Sequence, residues 1–574
     1  MRRCHKTVIW EQRVKYVIEQ AGRVLRHPLP ISLAFLTLLQ ALHYFDTRWR
    51  FVPFLVAVTL AIAALLFLLS RRPTFSLWAA GLTVLLIAAM SEVKFRLKGF
   101  SLHVFDFAFT GLDRSALSFL VGSYFNLLIA GLAALAAAFV FLVVAFRSDR
   151  RSARSFVVRA CLFVIAAVGV VALYPQKNGE PDYVHYISGY DASSFFVSIG
   201  DLEFPLGRIV LAGRLENVEA EGKLSDDISC GVAASQPDLF LVLSESQTSP
   251  SYFPQVTVPE WMSASFQSQD GRVHPMQVET FGGGTWVTNF SVMTGLSGAD
   301  FGWQSPYVTQ ILEGRVKASL PSLMARCGYR TIAVMPMQAS FVNEGPFLTS
   351  IGFQEIVDFD AMKPESHFVR DRFYFDVVER IVREHREKDR RPLFIAMQTL
   401  FPHGPYDMTL VPQDALPDKA FAPDAQVDEY LRRVALSKQD LQDFRRERER
   451  MPGPNGTIVL DFGDHQAVAT KDYLAAGTPG NNVFSDLGSI AYKTYYTVHG
   501  YGRDIDMRPF AIPLDVGFLA ASLIEAAGLP TSPTFEALAR LRDACEGRYH
   551  ACPDRALVDQ HLRQRQDAGL LNLD

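Results

Sequence analysis

Cysteine is scarce in this chain. Six residues in 574 do not make a disulfide framework, so the fold must rest on burial rather than on cross-links. Charge of one sign is equally lacking. The net charge is −4 and no block of basic residues occurs, which argues against nucleic acid as a partner. The first 28 residues read poorly as a cleavable signal peptide, because they are too long, too polar and followed by several further apolar runs. The glycine run Gly282-Gly283-Gly284 leads into Thr285 without the lysine of a nucleotide-binding P-loop. What is present is length and contrast. A chain of 574 residues suggests several domains, and its composition averages two unlike parts. Residues 29–174 are overwhelmingly apolar, and the remainder reads as a soluble, mixed α/β protein.

A helix that crosses a bilayer needs roughly 20 mostly apolar residues. Five stretches qualify: about 29–46, 51–70, 75–93, 117–146 and 156–174. Lys and Arg mark the cytoplasmic loops. Arg2, Arg3, Lys6, Arg13, Lys15, Arg23 and Arg26 precede the first span; Arg71 and Arg72 follow the second; Arg147, Arg150, Arg151 and Arg154 follow the fourth. Five crossings from an inside start put residues 175–574 outside the cytoplasm. Arg48, Arg50 and the segment Lys94–Lys98 are basic exceptions on the opposite face. The spans lack the paired buried charges of a transport path. In an oxidising compartment Cys545 and Cys552 can pair, or they remain two thiols; Cys161 lies in a span and reads as packing.

Residues 175–235 read as a linker with short helices. Beyond it, the apolar runs 239–245, 331–335, 393–399 and 457–464 are consecutive rather than alternating, as expected for strands buried on both faces of a mostly parallel sheet. Val427, Tyr430, Leu431, Val434, Leu441 and Phe444 share one helical face, and the run 445–450 (RRERER) is its solvated end. Helices then cover both sides of the sheet, and in such folds chemistry gathers at the carboxyl ends of strands.

Two of those strands end in candidate ligands. The first delivers Glu245, and the last delivers Asp464 and His465; between them Thr285 follows three glycines. Carboxylate oxygen and imidazole nitrogen suit a divalent cation, and a cation beside the hydroxyl would lower its pKa and make Thr285 a usable nucleophile. Glycines 282–284 let backbone N–H groups approach a phosphate. Singly, each feature has a plainer explanation: a salt bridge, a turn, a chance triplet.

Their order is more informative. SES, then GGGT with FSVMTGL, then HGPY, then FGDH resembles the lipoteichoic acid synthase and phosphoglycerol transferase branch of the sulfatase-like enzymes, within the alkaline phosphatase superfamily. KFRLKGFSLHVFDF (94–107) is similar to that branch's lysine-to-aspartate segment after the third span. The resemblance implies a cytoplasmic N-terminus (1–28), a five-helix transmembrane domain (29–174), the linker (175–235) and an extracytoplasmic α/β sulfatase-like domain (236–574) in a bacterial inner membrane. It implies Glu245, Thr285, Asp464 and His465 as ligands of one divalent metal, manganese first, with magnesium or zinc as alternatives. Thr285 becomes the nucleophile, His403 a substrate contact and proton carrier, Gly283 and Gly284 phosphate contacts, and Arg370 a second phosphate contact, with Arg372 nearly as good a match. The implied reaction moves phosphoglycerol from phosphatidylglycerol to a glycan or glycolipid through a covalent threonine intermediate. The alternatives are phosphoethanolamine transfer and a non-catalytic scaffold. Sulfatase activity is disfavoured, since Thr285-Trp286-Val287 offers no Cys or Ser in C/S-x-P-x-R. Asn289 stands where the family usually has an acid, and Met335-Pro336 where it tends to have His-Pro; both departures concern the substrate more than the reaction.

Overall fold

The computed structural model describes residues 16, 18–46, 49–109, 121–122, 124–175, 186, 190–203, 209–220, 222, 224–225, 227–230, 236–412, 415–416, 420–476 and 483–574. Arg2, Arg3, Lys6, Arg13 and Lys15, the first residues of the expected fourth span (117–120) and much of the expected linker lie outside the described residues.

Helices form where the apolar runs stand: α1 (Pro28–Asp46), α2 (Val52–Ser70), α3 (Pro73–Lys98), α4 (Phe125–Ser148) and α5 (Phe156–Ala172). Among the described residues, four of them are long and apolar enough to cross a membrane, not the expected five. The shortfall is α5, whose 17 residues span about 26 Å at 1.5 Å per residue. No residue in the most apolar stretch of α4 is buried, an exposure that a helix of this composition tolerates in lipid rather than in water.

The basic loops meet at one end of this bundle. Ser152 N–H donates to Arg71 O at 2.7 Å, Phe75 N–H to Asp149 Oδ2 at 2.9 Å, and the Trp78 indole to Leu25 O at 3.2 Å. The opposite end carries α6 (Asp191–Ser198). Asp46, at the end of α1, accepts from the backbone N–H groups of Ala192 and Ser193 at 2.7 and 3.0 Å, and Tyr174, just past α5, donates to Val197 O at 2.8 Å. Thus α5, although short, runs from the basic end to the other.

The remaining chain builds one eight-stranded sheet: β1 (Asp238–Ser244), β2 (His274–Gln277), β3 (Arg330–Val334), β4 (Glu355–Val357), β5 (Leu393–Gln398), β6 (Thr457–Gly463), β7 (Lys493–Tyr501) and β8 (Leu514–Asp515). The order is β4-β3-β5-β1-β6-β7-β2-β8. All neighbours are parallel except β7, which is antiparallel to β6 and β2. The central strands are buried on both faces, as their unbroken apolar runs require. Leu239, Leu241 and Leu243 join one core with Val287 and Phe290 of α7 (Thr285–Thr294). Phe240 and Val242 face the other core, where α8 (Glu344–Ser350) gives way to α9 (Arg372–Lys388) and α10 (Ala425–Arg450); these supply Tyr374, Phe375, Val378, Leu441 and Phe444. The 445–450 end of α10 is less solvated than its composition suggests. Arg448 is buried and paired with Glu379, because α9 lies across it.

Membrane and soluble parts are joined through residues 94–107. Lys94 pairs with Asp106 at 2.7 Å, and Asp106 accepts from the Tyr307 hydroxyl at 2.8 Å. His103 stacks on Trp303 with ring centroids 4.7 Å apart. Just past α3, Gly99 leans on the glycine run: a Cβ there would stand 2.4 Å from Phe281 O and 3.1 Å from Gly283 N.

Candidate metal centre and nucleophile

Register explains why ligands distant in sequence meet. Strands β1 and β6 are parallel neighbours with Ser244 opposite Gly463, so the next residue of each, Glu245 and Asp464, leaves the sheet at the same edge. The backbones approach closely here: a Cβ on Gly463 would lie 1.9 Å from Gln247 O, which only glycine avoids. Ser246 turns the chain with φ +56° and donates its N–H to Asp464 Oδ1 at 2.7 Å and its hydroxyl to Glu245 Oε1 at 2.7 Å.

Thr285 enters from a different element. Gly284, at φ +86°, reverses the chain so that Thr285 heads α7, and Thr288 one turn on donates to Asp464 O at 2.7 Å. The Thr285 hydroxyl donates to Glu245 Oε2 at 3.0 Å and lies 3.4 Å from His465 Nε2. His465 Nε2 is 3.5 Å from Glu245 Oε1 and 3.3 Å from Asp464 Oδ2. Its Nδ1 faces Gln466 O at 3.0 Å; a carbonyl only accepts, so Nδ1 carries the proton and Nε2 turns a lone pair to the cluster. Helix N-termini also present unsatisfied N–H groups to an anion, and Thr285 sits at one.

Glu245, Asp464 and His465 are buried and bring one ligand atom each within 4.8 Å of the others. Asp464 Oδ2 is buried without a hydrogen-bond partner, a costly arrangement unless a cation completes it. Burial first, and the Glu245 charge second, push the Asp464 carboxyl well above the carboxylate range. Burial pushes the His465 imidazole pKa below its ordinary value. Two buried carboxyls, a neutral imidazole and a hydroxyl fit a divalent cation.

His403 is half-buried in the loop after β5. Its Nδ1 donates to Gly404 O at 2.7 Å, and its charge acts on Glu245, so it stands near the cluster. The buried Arg433 of α10 holds this loop through His403 O at 2.8 Å and Pro405 O at 2.9 Å. Tyr124, at the head of α4, donates to Gly404 O at 3.1 Å, so a membrane helix touches the same loop. Of the glycine run, Gly283 and Gly284 stay beside Thr285, whereas the Gly282 N–H is taken by Gln466 O at 3.0 Å. The Arg370 guanidinium grips Asp440 with two bonds, at 2.7 and 3.1 Å. Arg372 turns to Asp376 and Asp443. Thr288, Thr399 and Arg433 carry no motif. They act through backbone groups, and only the fold shows what they hold.

A parallel α/β sheet with ligands at the carboxyl ends of adjacent central strands, and a hydroxyl heading a helix, defines a class. Residues 237–489 match the family model described as Sulfatase. An uncharacterized protein of Haemophilus influenzae is 24% identical over 266 residues, 43% of this chain; the chain spans about half (47%) of that relative's length. Among solved structures, the chain is similar to the integral membrane lipooligosaccharide phosphoethanolamine transferase A of Neisseria meningitidis (12% identity, 85% of this chain and 95% of that one, TM-score 0.48). It is also similar to the Streptococcus pyogenes phosphoglycerol transferase GacH in complex with sn-glycerol-1-phosphate (15%, 62% and 90%, TM-score 0.46). A third is the lipoteichoic acid synthase LtaP of Listeria monocytogenes (17%, 50% and 70%, TM-score 0.34).

Proposed function

We propose that this protein is a metal-dependent phosphotransferase of the bacterial inner membrane that moves a phospholipid head group, phosphoglycerol in the first instance, to an extracytoplasmic glycan or glycolipid. The observation that carries the reading is the convergence of Thr285 with Glu245, Asp464 and His465 at one strand edge. A divalent cation held by these four residues would lower the hydroxyl's pKa and offset charge on the phosphoryl oxygens.

The Thr285 Oγ1 proton already points to Glu245 Oε2, which takes it as Oγ1 attacks phosphorus. The new Thr285 O–P bond forms as the bond from phosphorus to the diacylglycerol oxygen breaks. His403 gives that oxygen its proton. An acceptor hydroxyl then attacks the same phosphorus and passes its proton to His403, the Thr285 O–P bond breaks, and the threonine oxygen recovers its proton from Glu245. Gly283, Gly284 and the start of α7 supply N–H groups to the non-bridging oxygens.

Placement outside the cytoplasm is supported by the clustering of the basic loops at the bundle end away from α6, and by two disulfides, Cys230–Cys327 and Cys545–Cys552, which belong in an oxidising compartment. Intact-protein mass spectrometry tests the reaction. After incubation with phosphatidylglycerol and manganese, an adduct of one head-group phosphate is expected on Thr285 and none on Thr285→Ala. Absence of any adduct with metal bound would remove the covalent mechanism.

A further inference from the structure

Beneath the Thr285 loop lies a carboxyl that the reaction above does not use. Glu344 opens α8 and is 5% exposed. Its Oε1 accepts from Asn289 Nδ2 and from Gln398 Nε2, both at 2.7 Å. Asn289 is one helical turn beyond Thr285 on α7. Gln398 ends β5 and precedes Thr399, whose hydroxyl accepts from the Glu245 N–H at 3.1 Å. Burial raises the Glu344 pKa, and the Glu245 charge raises it further, so the two carboxyls lie close to one another. Among the described residues no cation is within ion-pair distance of Glu344, and Oε2 accepts no hydrogen bond.

The turn that presents this carboxyl is strained. Val342 and Asn343 adopt φ +46° and +59°, a left-handed conformation that is costly for a β-branched residue. It is held by several bonds. The Thr309 hydroxyl donates to Val342 O at 2.5 Å; Asn343 Nδ2 donates to Thr309 O at 3.2 Å and to Glu313 Oε2 at 2.7 Å. Strain maintained in this way marks positions with a task, and a buried carboxyl with one oxygen satisfied and one free is poised to take a donor.

We propose that Glu344 is a specificity-determining residue: its free oxygen receives a hydrogen-bond donor at the far end of the transferred head group, a glycerol hydroxyl or an ethanolamine ammonium. This rests on the head-group transfer proposed above. The amides of Asn289 and Gln398 hold Oε1, which leaves Oε2 as the oxygen that meets substrate.

The test compares three donors in full-length protein with manganese: phosphatidylglycerol, phosphatidylethanolamine, and methyl p-nitrophenyl phosphate, a diester with no distal donor. The readout is the ratio of kcat/KM for the preferred lipid to that for the aryl diester. Glu344→Ala is expected to lower this ratio at least about tenfold. Glu344→Gln, which keeps an acceptor oxygen and the side-chain volume, separates the two donors. Retention of most of the ratio identifies a hydroxyl, and loss as deep as in Glu344→Ala identifies an ammonium. An unchanged ratio in both variants, whatever happens to absolute rates, overturns the proposal, since a purely structural carboxyl weakens all diesters alike. Wild-type protein that cleaves the aryl diester but no lipid would instead overturn the head-group reading itself.

Discussion

At the scale of single residues, the site depends on small groups that fix larger ones. Asp464 is held at Oδ1 by two backbone N–H groups, Ser246 at 2.7 Å and His465 at 2.8 Å, which leaves Oδ2 for a cation. Asp464→Asn preserves the first arrangement and removes the second charge, so bound metal, read by elemental analysis of the purified protein, should fall at least about tenfold. Asp371 shows the same economy away from the cluster. It accepts from the N–H groups of Leu400 and Phe401, each at 2.9 Å, and so anchors the loop that carries His403. Burial raises its pKa from 3.8 to about 6. Because the folded-state value is the higher one, the folded state gains protons over the unfolded state between these values. The stabilisation is complete below pH 3.8 and lost as pH rises through 6, and the displacement is worth about 3 kcal/mol. Asp371→Asn should therefore raise the melting temperature at pH 8 and flatten its fall between pH 4 and 6. Equal pH dependence in the two proteins would show that Asp371 ionises without penalty.

At the scale of elements, Thr285 is positioned by parts of the chain that are remote in sequence. Gly284 has no room for a side chain, since a Cβ would stand 2.8 Å from Phe100 and 2.9 Å from Thr280. Phe100 follows α3 directly, so the end of a membrane helix forms the floor of the glycine run. Gly99, at φ +73°, is the narrowest point. Gly99→Ala should push Phe281 and Gly283 aside and reduce transfer about tenfold or more, because displacements near 1 Å in a catalytic group have effects of that order. Circular dichroism should show the α/β content unchanged. Full activity in this variant would mean that the membrane part does not position the loop. The helix α10 makes a related point. Its sequence reads as an amphipathic cover, yet Lys438 reaches Asp461 at 2.8 Å in a fully buried pair, and Arg433 holds the His403 loop. These charged residues sit within a recognisable helix pattern, and nothing in that pattern shows that they turn inward.

At the scale of the whole molecule, orientation depends on α5. Five crossings place the sulfatase-like domain opposite the basic loops, and four place it beside them. A reporter active only outside the cytoplasm, fused after Glu219, is expected to be active, and the same reporter after Arg151 inactive; the reverse pattern would count against five crossings. The proposed placement outside the cytoplasm would have a covalent consequence. Cys230–Cys327 closes a loop of 97 residues, and such a cross-link is typically worth about 2–4 kcal/mol. Reduction should lower the melting temperature of the purified protein, and Cys230→Ser/Cys327→Ser should reproduce most of that loss.

The sequence by itself determined the apolar helices and the strands that read as unbroken apolar runs, and it offered Glu245, Thr285, Asp464 and His465 as candidates, because periodicity and motif order are local properties of the chain. It also offered Cys545 and Cys552 as a pair. Tertiary structure alone decided the rest. Arg370 is bound to Asp440, Cys230 meets Cys327, and α5 is shorter than its apolar run. Asn289, visible in the sequence only as a departure, is the partner of Glu344. Each of these depends on which backbones lie side by side, and strand order and register fix that in space with no trace in neighbouring residues.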